Sequence, residues 1–250
     1  VAEFGHCEAV AGRPGRAAVE RVIYERWNAA QTHGCQRRPP RCCAISSIAR
    51  REEIVVVLLV VSLPRRAMSD DDFFRAALRG NVAVLQAMAN LHPRLLSAWS
   101  SGSAGRHTAL SLAAAAAQAD AVATIISLGA ELNAPDDDGT TPLMHAAMHG
   151  HARVLQILLD AGAGATLVRS DDGMNAVCLA AAYGRPNSLG VFFRADPSLV
   201  GARAANGRTP LHCAVAARQA PTAKYLLGRW RAALDATDAH GDTPLHLVED

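Results

Sequence analysis

His145, His149 and His151 stand as His-x-x-x-His-x-His in a chain of 250 residues. Imidazoles four apart on a helix share one face, a spacing that can present two nitrogens to a zinc ion. By sequence spacing alone, no cysteine or carboxylate completes the set, and two imidazoles without a third ligand hold a metal poorly. The expectation is a chain with no metal and no other cofactor. Asp136, Asp137 and Asp138 form one acidic run, and Asp171 with Asp172 forms another. Neither alternates like a calcium loop closed by a Glu. Asp next to Gly139 or Gly173 suits a tight turn, where its side chain satisfies backbone groups. There is no Gly-rich phosphate loop, no Gly-x-Ser-x-Gly elbow and no Cys/His nucleophile arrangement, so the chain reads as a non-enzyme.

The elements that position these residues recur. Thr-Pro-Leu at Thr141 returns as Thr-Pro-Leu-His at Thr209 and Thr243, each copy two residues after a glycine: Gly139, Gly207 and Gly241. Thr209 and Thr243 are 34 apart, Asn175 stands midway between Thr141 and Thr209, and Thr108 lies 33 before Thr141. Such a period marks a stack of supersecondary units, each burying its apolar face on its neighbours. In the copy running from Asp136 to Ala165, the Asp run and Gly139 make a turn. Thr141 caps a short helix with Pro142 at its first position, and Gly150 ends that helix. A second helix follows from about His151 to Asp160, with Val154, Leu155, Leu158 and Leu159 on its apolar face. Asn175 replaces Thr but can still cap. Ala117 and Arg218 stand where glycine otherwise ends the first helix, so those two ends must turn against strain. His92–Leu96 and Asp196–Val200 occupy the same place after a second helix and imply a shared variant loop. The first unit, from Asp70, has Ala76, Ala77 and Gly80 in phase without Thr-Pro-Leu, as an end cap would.

The stretches DGTTPLMHAAMHGHARVLQILLDAGA, NGRTPLHCAVAA and HGDTPLHLVED resemble the ankyrin repeat, over roughly Asp70 to Asp250. The resemblance implies an all-α solenoid of about five helix-turn-helix repeats plus a truncated sixth. It further implies that His212 and His246 bond back to the Thr of their own motif and are structural. The implied function is a protein–protein interaction module, a scaffold or adaptor, that meets its partner with turn tips and the concave face of the first helices. On the helices these positions include Arg79, Met148, His149 and Tyr183. At the tips they include Asp137, Asp138, Asp171, Asp172, Met174, Asn206 and Arg208. Acidic tips around Met148 and Tyr183 predict a protein partner with a basic segment and an apolar anchor. Alternatives from other classes are a regulatory or targeting segment of a larger enzyme, such as a kinase or ubiquitin ligase, and a membrane-tethered ankyrin protein.

Composition divides the chain. Residues 1–67 carry eleven Arg and six Glu, whereas residues 68–250 carry fourteen basic and seventeen acidic residues. The slightly acidic second part argues against nucleic acid, and nothing points to a small-molecule substrate. Residues 1–67 lack methionine and any echo of the repeat. They read as a poorly structured basic arm or a non-native extension upstream of Met68. Ile54–Leu63 is an apolar run of ten residues, about half of what spans a bilayer, so a membrane role is not expected. Cys7, Cys35, Cys42 and Cys43 fall in this arm. Cys178 and Cys213 fall at non-equivalent positions of adjacent repeats, so their side chains are not expected to meet. A reduced intracellular protein, cytoplasmic or nuclear, follows from that reading. At the other end, Asp250 falls inside the first helix of a repeat, which predicts an unpartnered apolar face at Leu245 and Val248 and a repeat domain, 68–250, that is incomplete.

Overall fold

Helix pairs succeed one another along the chain at the predicted period. The computed structural model describes residues 69–100 and 105–248, all within one unit that spans Arg50–Asp250. The expectations for residues 1–67, including the Ile54–Leu63 run and the four cysteines of the arm, lie outside the described residues. The first helices are α1 (Asp70–Arg79), α3 (Ala109–Ala115), α5 (Pro142–His149), α7 (Ala176–Ala182) and α9 (Pro210–Ala216). Their partners are α2 (Val82–Leu91), α4 (Ala119–Ser127), α6 (Ala152–Asp160), α8 (Pro186–Ala195) and α10 (Ala220–Trp230). Each first helix packs on the next first helix and each second helix on the next second helix, so the structure is an all-α solenoid. No helix among the described residues is long and apolar enough to cross a membrane.

Local chemistry sets the helix starts. Thr108, Thr141, Asn175 and Thr209 are the N-caps of α3, α5, α7 and α9. The Asn175 carboxamide oxygen accepts the Cys178 N–H at 2.8 Å, so the exchange of Thr for Asn keeps the cap. In α1, Ser69 and Asp72 form a reciprocal capping box, a device that satisfies two otherwise free backbone donors. Gly150 ends α5 at φ 82°, whereas Ala117 and Arg218 make the equivalent turns at φ 60° and 55°. These residues adopt the left-handed conformation despite carrying a Cβ, at a cost of roughly 1–2 kcal/mol each. At the tips, glycine has a second role. A Cβ on Gly139 would lie 2.8 Å from the Ser170 backbone nitrogen, so the next repeat approaches too closely for a side chain.

The core runs the length of the stack. Val154, Leu155 and Leu158 of α6 are buried, as their helical spacing predicts, and Leu159 is half-buried against them. The two variant loops are 3-10 turns, Pro93–Leu96 and Pro197–Gly201, and each seats the same residue, Leu95 or Leu199, in the core. The sixth unit departs from expectation. Its first element is a 3-10 turn, His246–Val248, in place of an α-helix, with Leu245 and Val248 more than 60 % exposed. With that face exposed, one turn is too short to hold a helix by propensity alone.

Candidate binding face and inter-repeat junctions

Several tip groups bond across repeats. The Asp137 carboxylate accepts the Arg106 N–H at 2.9 Å, and the Ser170 hydroxyl reaches the Asp138 carbonyl at 3.5 Å. The Ala205 N–H donates to the Gly173 carbonyl, and the Ala239 N–H to that of Asn206. A second row of ties lies where each first helix ends. His151 Nε2 donates to the Ala115 carbonyl at 3.0 Å, and Arg185 Nε to the Met148 carbonyl at 2.9 Å. His151 and Arg185 both directly follow the inter-helix glycine, so this position serves to tether one repeat to the one before it.

The residues expected to meet a partner differ in how free they are. Arg79, Asp137, Asp138, His149, Asp171, Asp172 and Tyr183 are exposed. Met148 and Met174 are half-buried and pack on the core. Asn206 is half-buried, with its side chain accepting the Arg208 N–H at 3.2 Å. Arg208 also pairs with Asp238 across the junction at 3.2 Å. Asp172 is paired with Arg169 through two contacts, and its carboxylate also accepts the Met174 N–H. Burial pushes the Asp172 carboxyl up, but Arg169 and the Met174 N–H outweigh it and hold the group below the usual carboxylate range. The tip between α6 and α7 is therefore less acidic than its sequence suggests. Burial, with His151 and His145 nearby, lowers the His149 pKa.

The histidines do not assemble as their spacing suggested. The His149 ring stacks on His151 at 5.7 Å, and His151 is held by Ala115. His145 turns instead to Asp136, with Nε2 2.8 Å from Oδ2, and His107 Nδ1 approaches the same oxygen at 3.3 Å. A carboxylate that sequence spacing did not offer thus reaches His145. Asp136 is nine residues away in sequence, and the tip folds it back over the helix start. Its other oxygen, Oδ1, accepts the N–H groups of Asp138 and Thr140 at 3.1 and 2.7 Å, the turn role expected of it. Burial holds the His145 ring below the ordinary histidine range, against the opposing pull of Asp136. The signal for this cluster lay in the repeat itself. His107 precedes Thr108 as Arg208 precedes Thr209, and Asp136 precedes Thr141 by the same five residues that separate Asp238 from Thr243.

His212 behaves as the resemblance implied. Its Nδ1 accepts from both the hydroxyl and the N–H of Thr209, at 2.8 and 3.2 Å. That leaves the proton on Nε2, which donates to the Asp242 carbonyl of the next unit at 3.0 Å. His246 repeats the contact to Thr243. Cys178 and Cys213 are both buried as free thiols, and the Cys178 thiol donates to the Arg208 carbonyl at 3.7 Å. The Cys213 partner, followed by burial, pushes the Cys178 thiol well up, so it stays protonated and unreactive.

A family model described as ankyrin repeats (3 copies) matches residues 73–171 and 110–198, and a single ankyrin repeat model matches residues 206–239. The chain belongs to the ankyrin-repeat family, whose members generally mediate contacts between proteins. Among curated proteins, it is 30 % identical over 143 residues to the nuclear factor NF-kappa-B p105 subunit of Gallus gallus, covering 56 % of this chain and 14 % of the relative. To the p105 subunit of Mus musculus it is 34 % identical over 123 residues, covering 48 % and 13 % respectively. To neurogenic locus notch homolog protein 1 of Xenopus tropicalis it is 36 % identical over 142 residues, covering 56 % and 6 %. The chain therefore spans a small part of the length of each of these relatives.

Proposed function

We propose that the stack binds another protein through its turn tips and the exposed side of its first helices, and that the partner segment is basic with an apolar anchor. Tyr183 carries this reading. It lies just past the end of α7 and is 52 % exposed, where the equivalent positions after α3 and α9 hold Ala116 and Ala217. A large amphipathic ring held out by a rigid helix loses little freedom on binding and suits an affinity hot spot. His149, one repeat earlier, occupies the same position and is exposed as well. The exposed carboxylates of Asp137, Asp138 and Asp171 supply negative charge at the neighbouring tips. Charges of this kind steer encounter more than they add affinity.

The test is comparative. Partners captured by the full chain are identified in parallel for wild type, for Tyr183→Ala and for Asp137→Asn with Asp171→Asn, and their binding rates are measured. The expected result is a faster off-rate for the tyrosine change and a slower on-rate for the double change, the latter most evident at low ionic strength. Unchanged rates in both variants would remove this face from consideration.

A further inference from the structure

We propose that His107, Asp136 and His145 form a zinc site that ties the second repeat to the third at their turn tips. His107 Nδ1, His145 Nε2 and a carboxylate oxygen of Asp136 all lie within 4.8 Å of one another. Ligand atoms about 2.0–2.1 Å from a tetrahedral zinc stand about 3.3 Å apart. The His107 separation from Asp136 Oδ2 is 3.3 Å, and that of His145 is 2.8 Å. Seating the ion requires the three ligand atoms, already within 4.8 Å of one another, to settle at about that spacing. Two imidazoles with a carboxylate and no thiolate select a transition metal of the zinc type over magnesium or calcium. Three protein ligands leave a position for water, as in open zinc sites.

One feature of the cluster prepares it for an ion, and a second sets it apart from the other tips. The Asp136 side chain is 1 % exposed, and its second oxygen is fixed by two backbone N–H groups. The ligating oxygen is thereby aimed, which is the role of outer partners in metal sites. The rings are 21 % and 14 % exposed, so an ion has a path in. The second feature is the departure from the repeat. At the place of His145, the other complete Thr- or Asn-capped repeats carry Leu112, Leu179 and Cys213. Without metal, both rings can donate to Asp136. To bind zinc, each ring must carry its proton on the far nitrogen, which leaves the near nitrogen's lone pair for the ion.

The experiment titrates zinc into the chelator-stripped full chain by calorimetry. Cobalt serves as an absorbance probe that separates nitrogen and oxygen ligation from thiolate ligation by the arm's cysteines. Two variants borrow residues the repeat already uses: His145→Leu, as at residues 112 and 179, and His107→Arg, as at residue 208. Circular dichroism checks that both fold. The expected result is one tetrahedral cobalt site without thiolate charge-transfer bands, with affinity falling more than about tenfold in each variant. The proposal is overturned if wild type shows no such site, or if either folded variant binds as wild type does.

Discussion

At the junction of the second and third repeats, Asp136 takes two backbone N–H groups on one oxygen and faces two imidazoles with the other. At the junction of the fifth and sixth, Asp238 takes the N–H groups of His240 and Asp242 on one oxygen and faces the Arg208 guanidinium with the other. The backbone makes the same demand at both tips, for an acceptor inside the turn, and leaves one carboxylate oxygen free to meet the preceding repeat. The residue before the helix cap then decides what that oxygen does. Arginine makes an ion pair whose cation does not titrate. Histidine, with a second histidine from the following helix, makes a pair of ring nitrogens that can turn their lone pairs to a metal. Where Ser170 or Ala204 stands at the aspartate's position, neither arrangement is available.

The largest expected effect fixes the scale for the comparison. Leu158→Ala, in the buried second-helix layer, should cost about 2–5 kcal/mol in denaturant melts. If a tip change costs as much, the tips and not the core hold the repeats together, and the two junctions cannot be treated as decorations on a common stack. Asp136→Ala comes next, at about 1–3 kcal/mol, because it strands two backbone donors. Asp136→Asn should cost less, since it keeps an oxygen for those donors; equal losses for Ala and Asn would place the energy in the histidine contacts instead.

Smaller effects sharpen the picture. The repeats feeding both junctions end their first helices without glycine, at Ala117 and Arg218. Ala117→Gly and Arg218→Gly should each stabilise by about 0.5–1 kcal/mol, the relieved strain less the added freedom of the unfolded chain. Similar gains in thermal melts would locate the difference between the junctions at the tips, while a gain at one end alone would mean that the helix ends differ too. The smallest effect is an acid one. Burial pushes the Asp238 carboxyl up, but the N–H groups of His240 and Asp242, with Arg208, more than offset it and hold it below the usual range. Its contribution to stability is therefore present above the unfolded value of about 3.9 and is lost as pH falls through the lower folded value. Asp238→Asn should remove that acid-limb slope, and melting temperatures followed below about pH 5 would show it. A slope unchanged by the substitution would mean that Arg208 and Asp238 do not act as a pair.

Much of the local structure was legible from the chain. The 34-residue spacing, the caps at Thr141, Asn175 and Thr209, and the non-glycine turns at Ala117 and Arg218 depend on contacts within a few residues. So do the paired 3-10 turns that seat Leu95 and Leu199. Backbone conformation and helical periodicity fix such features, and both can be read in one dimension. The exposed position of Tyr183 followed from the same register.

Only the tertiary structure decided which side chains meet between repeats. Equivalent residues of a stacked repeat point the same way, so two of them cannot face each other. Contacts join the front of one repeat to the back of the next, and therefore join non-equivalent positions. Cys178, three residues past its cap, donates from its thiol to the carbonyl of Arg208, just before the next one. His107, just before one cap, meets Asp136 and His145 on either side of another. The sequence determined the repeat and its local turns, because those are set by each residue's own backbone. The pairing across repeats waited on the stacking offset, which no single period of the sequence contains.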